Sequence, residues 1–93
     1  MDYKLVIQYE AIMDVREAFI WYEEQKNGLG FSLFEELELC YQKLSKNPQH
    51  YGMLNKWLRK MKVPGFPYLI IYEIDYDRVV VTSIWHTSKS PKY

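Results

Sequence analysis

The sequence predicts an α+β domain, ordered β-α-α-β-β-β, with an antiparallel helical hairpin packed on one face of a mainly antiparallel, twisted sheet. Three observations carry this. The apolar pattern passes from a β-rich run to helical spacing near residue 10 and returns to extended runs after residue 52. Asn27-Gly28 and Asn47-Pro48 each end a helical stretch. The last three extended runs are joined by connections too short for anything but antiparallel neighbours.

Lys4-Leu5-Val6-Ile7-Gln8-Tyr9, β-branched and aromatic, reads as the first strand. From Ala11 the period changes: Ala11, Val15, Ala18 and Tyr22 lie at helical spacing, with Ile12 and Phe19 beside them. A second helix is expected from Leu29 to Ser45, with Phe34, Leu37, Tyr41 and Leu44 as its apolar stripe. The short link through Gly28 and Gly30 requires the two helices to lie antiparallel. Leu54 to Lys62 is expected as a strand, Val63-Pro64-Gly65 as a turn, Tyr68 to Ile74 as a central strand and Arg78 to Trp85 as the last. The first strand is expected in the same sheet, because an open edge invites aggregation.

The 93 residues suffice for one domain, spanning 1–93, and 16 aromatic residues supply a core. Cys40 is the only cysteine, which rules out an internal disulfide and a cysteine metal cluster; it reads as a small buried hydrophobe. Neither a signal peptide nor a membrane span is visible, so a cytoplasmic setting is expected. The net charge of zero hides a strong asymmetry. Residues 1–42 carry nine acids against three bases, and residues 43–93 carry nine bases against three acids. No acidic residue stands between Lys43 and Tyr72. Such polarisation favours an anionic partner on the β half.

Two clusters are candidates for chemistry. The first is Lys56-Trp57-Leu58-Arg59-Lys60-Met61-Lys62, where strand alternation is expected to send Trp57, Arg59 and Met61 to one side and Lys56, Lys60 and Lys62 to the other. Cations beside an aromatic ring suit nucleic acid or an acidic protein segment; the plainer reading is an edge strand guarded by lysines. The second is the C-terminal run from Trp85 through His86 and Lys89 to Tyr93. His86 is the one histidine placed for proton transfer, with a strand-end structural role as the alternative. His50 reads as structural, and no metal site or cofactor is expected. Glu23-Glu24 and Glu35-Glu36 diverge by about 100° on a helix and read as solvated faces.

Taken together, five ordered pieces resemble the RelE/ParE superfamily of bacterial toxins from type II toxin–antitoxin systems. They are Ala11-Ile12-Met13-Asp14 with Ala18 and Trp21-Tyr22-Glu23-Glu24-Gln25; Gly28-Leu29-Gly30 with Phe34; Asn47-Pro48; Leu58-Arg59-Lys60 with Phe66-Pro67-Tyr68 and Ile71-Tyr72; and His86-Thr87-Ser88-Lys89-Ser90-Pro91. The last looks like the family's His-x-x-Arg-x-Pro tail with Lys89 in place of arginine, which keeps a charge but loses the planar grip on phosphate. The resemblance implies a toxin of a plasmid-stabilising module, held by a cognate antitoxin that lays an acidic amphipathic segment over a hydrophobic and basic surface. It implies one of two targets. ParE-like members inhibit DNA gyrase and cut nothing, and the Trp21-Tyr22 and Phe66-Pro67-Tyr68 segments resemble the ParE-like and unassigned branches. RelE-like members cut mRNA on the ribosome without a metal. In that case Arg59, helped by Lys60 and Lys62, would steady the phosphate, His86 would move a proton, Lys89 would assist, and Tyr93 would stack or donate a proton. A non-toxic binding module is the third alternative. For antitoxin or nucleic acid the expected contacts are Lys56, Trp57, Arg59, Lys60, Lys62 and Lys89.

Overall fold

The structure, a computed structural model, describes residues 2–88. Its elements are β1 (Lys4–Ile7), α1 (Tyr9–Gln25), α2 (Leu29–Lys46), a 3-10 turn at Pro48–His50, β2 (Arg59–Lys62), β3 (Tyr68–Asp75) and β4 (Arg78–His86). The strands form one sheet in the order β1-β4-β3-β2. β1 runs parallel to β4, and the other pairs are antiparallel. The first strand therefore joins the sheet as expected, on the side of β4 away from β3.

β1 is shorter than its composition suggests, because hydrogen bonding changes partner at Gln8. The Gln8 N–H donates to Val81 O at 2.9 Å as the last rung of the ladder, and the Ile12 N–H then donates to Gln8 O at 3.1 Å. Tyr9, expected at the end of the strand, is thus the first residue of α1. β1 is held at its other end by the Tyr3 N–H, which donates to Ser45 O at the end of α2.

The hairpin closes at a close approach. Gly28 takes φ +89°, which glycine adopts without a Cβ penalty. Glu23, near the end of α1, reaches across: its carboxylate accepts from Gly30 N–H at 2.8 Å and Gly28 N–H at 3.1 Å. A carboxylate there satisfies free amides of α2 and meets the positive end of its dipole. The core side of α2 is Leu33, Leu37, Cys40 and Leu44. The expected stripe had the two shared leucines but took Phe34 and Tyr41 in place of Leu33 and Cys40. Apolar residues at both 33/34 and 40/41 leave the roll of the helix undecided by pattern alone. Packing at Gly30 decides it, and Phe34 instead stacks on Phe19 at 4.6 Å while staying 37% exposed.

Ala11 and Ala18 of α1, the α2 stripe, and Met61, Tyr68, Ile70, Tyr72, Val79, Val81 and Ile84 of the sheet make the core. Cys40 is buried there, and burial raises its thiol pKa. The Tyr72 hydroxyl donates to Pro48 O at 2.7 Å, pinning the turn after α2 to the sheet. Burial first pushes Tyr41, Tyr68 and Tyr72 up to about 12 from an ordinary 10, while at Tyr72 the neighbouring Arg59 guanidinium pulls the other way. A phenol whose folded pKa is raised stabilises the fold fully below the unfolded pKa and loses that contribution as pH rises through the folded one. Melting temperature should therefore hold steady up to about pH 10 and fall between about pH 10 and 12. Calorimetry with phenolate absorbance checks this; buried tyrosines that ionise without loss of stability would contradict it.

The expected Leu54–Lys62 strand is the main local correction, since only Arg59–Lys62 is strand. The Asn55 side-chain oxygen accepts from the Trp57 and Leu58 N–H groups, both at 2.8 Å, and the Leu54 N–H donates to Leu58 O at 2.8 Å. This side-chain-closed turn competes with the ladder and wins. Lys56 and Trp57 therefore sit in a loop and do not follow strand alternation.

Candidate functional site

Cross-strand register sorts the expected basic site onto two faces. Arg59 pairs with Tyr72 and Met61 with Ile70, on the side packed against the helices; Lys60 pairs with Ile71 and Lys62 with Leu69, on the opposite side. His86 pairs with Tyr68 and so shares the helix side with Arg59. The two lie at opposite ends of that side, about 13 Å apart along the strands and about 10 Å across them. The structure thus does not gather Arg59, Lys60 and His86 into one centre. Lys89 and Tyr93 lie outside the described residues. On the helix-free face, Ile71, Val80 and Ser83 are buried.

Several of the candidate side chains have local work. The Arg59 guanidinium donates from Nη1 to Tyr51 O at 2.8 Å and Gln49 O at 3.3 Å, tying β2 to the segment after α2. Lys62 Nζ donates to the carbonyls of Val63 and Phe66, closing the turn into β3. Lys60 is exposed. Lys56 Nζ sits 5.9 Å from the centre of the Trp57 ring, which is 73% exposed. The Ser88 backbone N–H donates to Nδ1 of His86 at 3.1 Å, and Ser88 Oγ lies 2.7 Å from the same nitrogen. A backbone N–H can only donate, so Nδ1 is the acceptor and the ring's proton in its neutral form is on Nε2. His86 in this arrangement has no free lone pair with which to act as a base.

Arg59→Ala is expected to destabilise the protein by about 1–2 kcal/mol, since it leaves two carbonyls without their charged donor. Denaturant titration measures this. A variant as stable as the parent would show that the guanidinium is not holding the segment.

A further concavity lies elsewhere, between α1 and the strand end that carries His86. It is a cleft of about 550 Å³ lined by Asp14, Glu17, Ala18, Trp21, Tyr22, Pro67, Tyr68, Ile84 and His86. Asp14 Oδ2 accepts from the Ile84 N–H at 3.0 Å, just beyond an irregularity where Ile71 faces Ser83 and Tyr72 faces Val81. Around it the rings run edge to face: Trp21 on Tyr22 at 4.9 Å, Tyr22 on Phe66 at 5.3 Å, Tyr68 on His86 at 5.1 Å. Sequence reasoning missed this site. Asp14, Glu17, Ala18 and Trp21 stand at i, i+3, i+4 and i+7, a second helical stripe that mixes acid with aromatic and so escapes a search for apolar periodicity. Among the described residues, no group of three His, Cys, Asp or Glu side chains is placed to hold a metal ion, and no helix is long and apolar enough to cross a membrane.

Residues 5–91 match the family described as ParE toxin of type II toxin-antitoxin system, parDE. The chain belongs to that family, and so to the RelE/ParE superfamily of toxins. Its fold is similar to that of a solved structure described as a chromosomal ParDE toxin–antitoxin system from P. aeruginosa, with a TM-score of 0.83 at 10% identity, covering 92% of this chain and 97% of the other. At that identity the likeness speaks for the fold. No curated protein matches the chain.

Proposed function

We propose that this toxin arrests growth in the cytoplasm by inhibiting DNA gyrase, cuts no nucleic acid, and is neutralised by a cognate antitoxin. Membership of the ParE family supports the target class. The observation that carries the choice against nuclease chemistry is the separation of Arg59 from His86, with Nδ1 of His86 occupied by Ser88. Cleavage by a neighbouring 2′-hydroxyl needs a base, a phosphate-binding cation and an acid around one phosphorus. Arg59 and His86 are too far apart to share one. Purified protein is expected to block supercoiling of relaxed plasmid by gyrase and to leave mRNA whole in a translating extract. Full supercoiling at large molar excess would remove the gyrase reading, and codon-spaced cuts would restore the ribonuclease. Harmless induction in cells would favour the non-toxic binding module.

A further inference from the structure

We infer that the cleft beside α1 receives an arginine or lysine side chain, flanked by apolar residues, from a separate polypeptide segment. The inference deepens the antitoxin reading above and rests on it for the partner's identity. Asp14 and Glu17 sit three residues apart on one side of α1, and both line the cleft. The remaining walls are apolar or aromatic: Ala18, Ile84, Trp21, Tyr22, Pro67 and Tyr68. Among the described residues, no lysine or arginine lines it. Asp14 is half-buried and Glu17 exposed, and carboxylates in a cleft that also has aromatic walls suit a cation with an apolar stem. Their influence extends across the space, since Asp14 and Glu17 both help raise the Tyr68 hydroxyl pKa, after burial and Tyr22. His86 completes the lining at the strand end. Trp21 is 56% exposed at the rim, in the style of an interface anchor. The volume, about 550 Å³, holds a long side chain together with an apolar neighbour.

This refines the partner expected from sequence. An acidic segment answers the lysines of the β half, but here the local demand is for the opposite sign. A partner that fits both carries acid for the lysines and one cation for the cleft.

The test is selection of short random peptides displayed on phage against the purified full chain. An enriched peptide is then made synthetically, and its arginine is replaced by neutral citrulline. Enriched sequences are expected to share an arginine or lysine beside an apolar residue. Binding is expected to shift the Trp21 indole resonance, and citrulline or Glu17→Gln to weaken it about tenfold. The inference is overturned by no enrichment, no basic preference, equal binding of the citrulline peptide, or shifts confined to the other two indoles. A concentration-dependent dimer lost in Glu17→Gln would place a second copy in the cleft and overturn the separate partner. Growth arrest and gyrase inhibition are read without the peptide, so failure of the toxin reading and failure of this one are told apart.

Discussion

Gly30→Val is expected to lower stability by about 3 kcal/mol or more, which in a domain of this size lowers the melting temperature by at least about 12 °C. A Cβ at residue 30 would lie 2.6 Å from Phe19 Cδ2, 2.7 Å from Phe19 O and 2.9 Å from Glu23 Cγ. The ring and the glutamate stem can swing aside, but the carbonyl oxygen belongs to the α1 backbone and moves only if the helices separate. Separation would also pull Gly30 N–H from Glu23 and unstack Phe34 from Phe19. Total stability for a chain this long is roughly 5 to 14 kcal/mol, so the loss is a large share. Gly28→Asn is the matched control. It adds side-chain strain at φ +89° but meets nothing within 4 Å, so its cost should be well under that of Gly30→Val. Calorimetry on both variants decides; equal losses would mean that backbone conformation, not the helix approach, limits the hairpin.

Asp14→Ala is expected to cost about 2–3 kcal/mol and to loosen β4 at Ile84. The Asp14 carboxylate accepts from the Ile84 N–H at 3.0 Å, and Ile84 is 4% exposed. Removing the acceptor leaves a buried donor to bear its full desolvation cost. Asp14→Asn, which keeps a side-chain oxygen, should recover a good part of the loss. Denaturant titration gives the free energy, and amide exchange at Ile84 gives the location. Exchange at Ile84 unchanged in Asp14→Ala would show that the amide finds another partner. The same residue lines the cleft, so the contact that anchors α1 to β4 also sets the sign of the cleft.

The order of elements was legible because each depends on neighbours in the chain. Helical spacing from Ala11 to Tyr22, the stop at Asn27-Gly28, the turn at Val63-Pro64-Gly65 and the apolar run of β3 are local signals, and all appear where expected. The errors fall where a side chain far along the sequence, or an alternative local bond, has the deciding interaction. Asn55 closes a turn that strand propensity did not foresee. Gly30 under Phe19 sets the roll of α2, and apolar spacing had two answers for it. Arg59, Lys60 and His86 looked like one site because they are all basic or proton-carrying and lie in the β half. Their separation follows from strand alternation and from register across β2, β3 and β4.

By itself the chain's sequence determined that two helices precede a β-meander, that charge is split between the halves, and that the domain looks like a RelE/ParE toxin. These rest on periodicity, turn chemistry and counting, which need no knowledge of what touches what. Only the tertiary structure decided that Arg59 and His86 lie at opposite ends of the helix-packed face, that Ser88 occupies His86, and that the cleft beside α1 is acidic and aromatic. The reason is physical: side-chain direction and proximity depend on register and packing between segments as distant as Asp14 and Ile84, 70 residues apart, and no local pattern encodes that meeting.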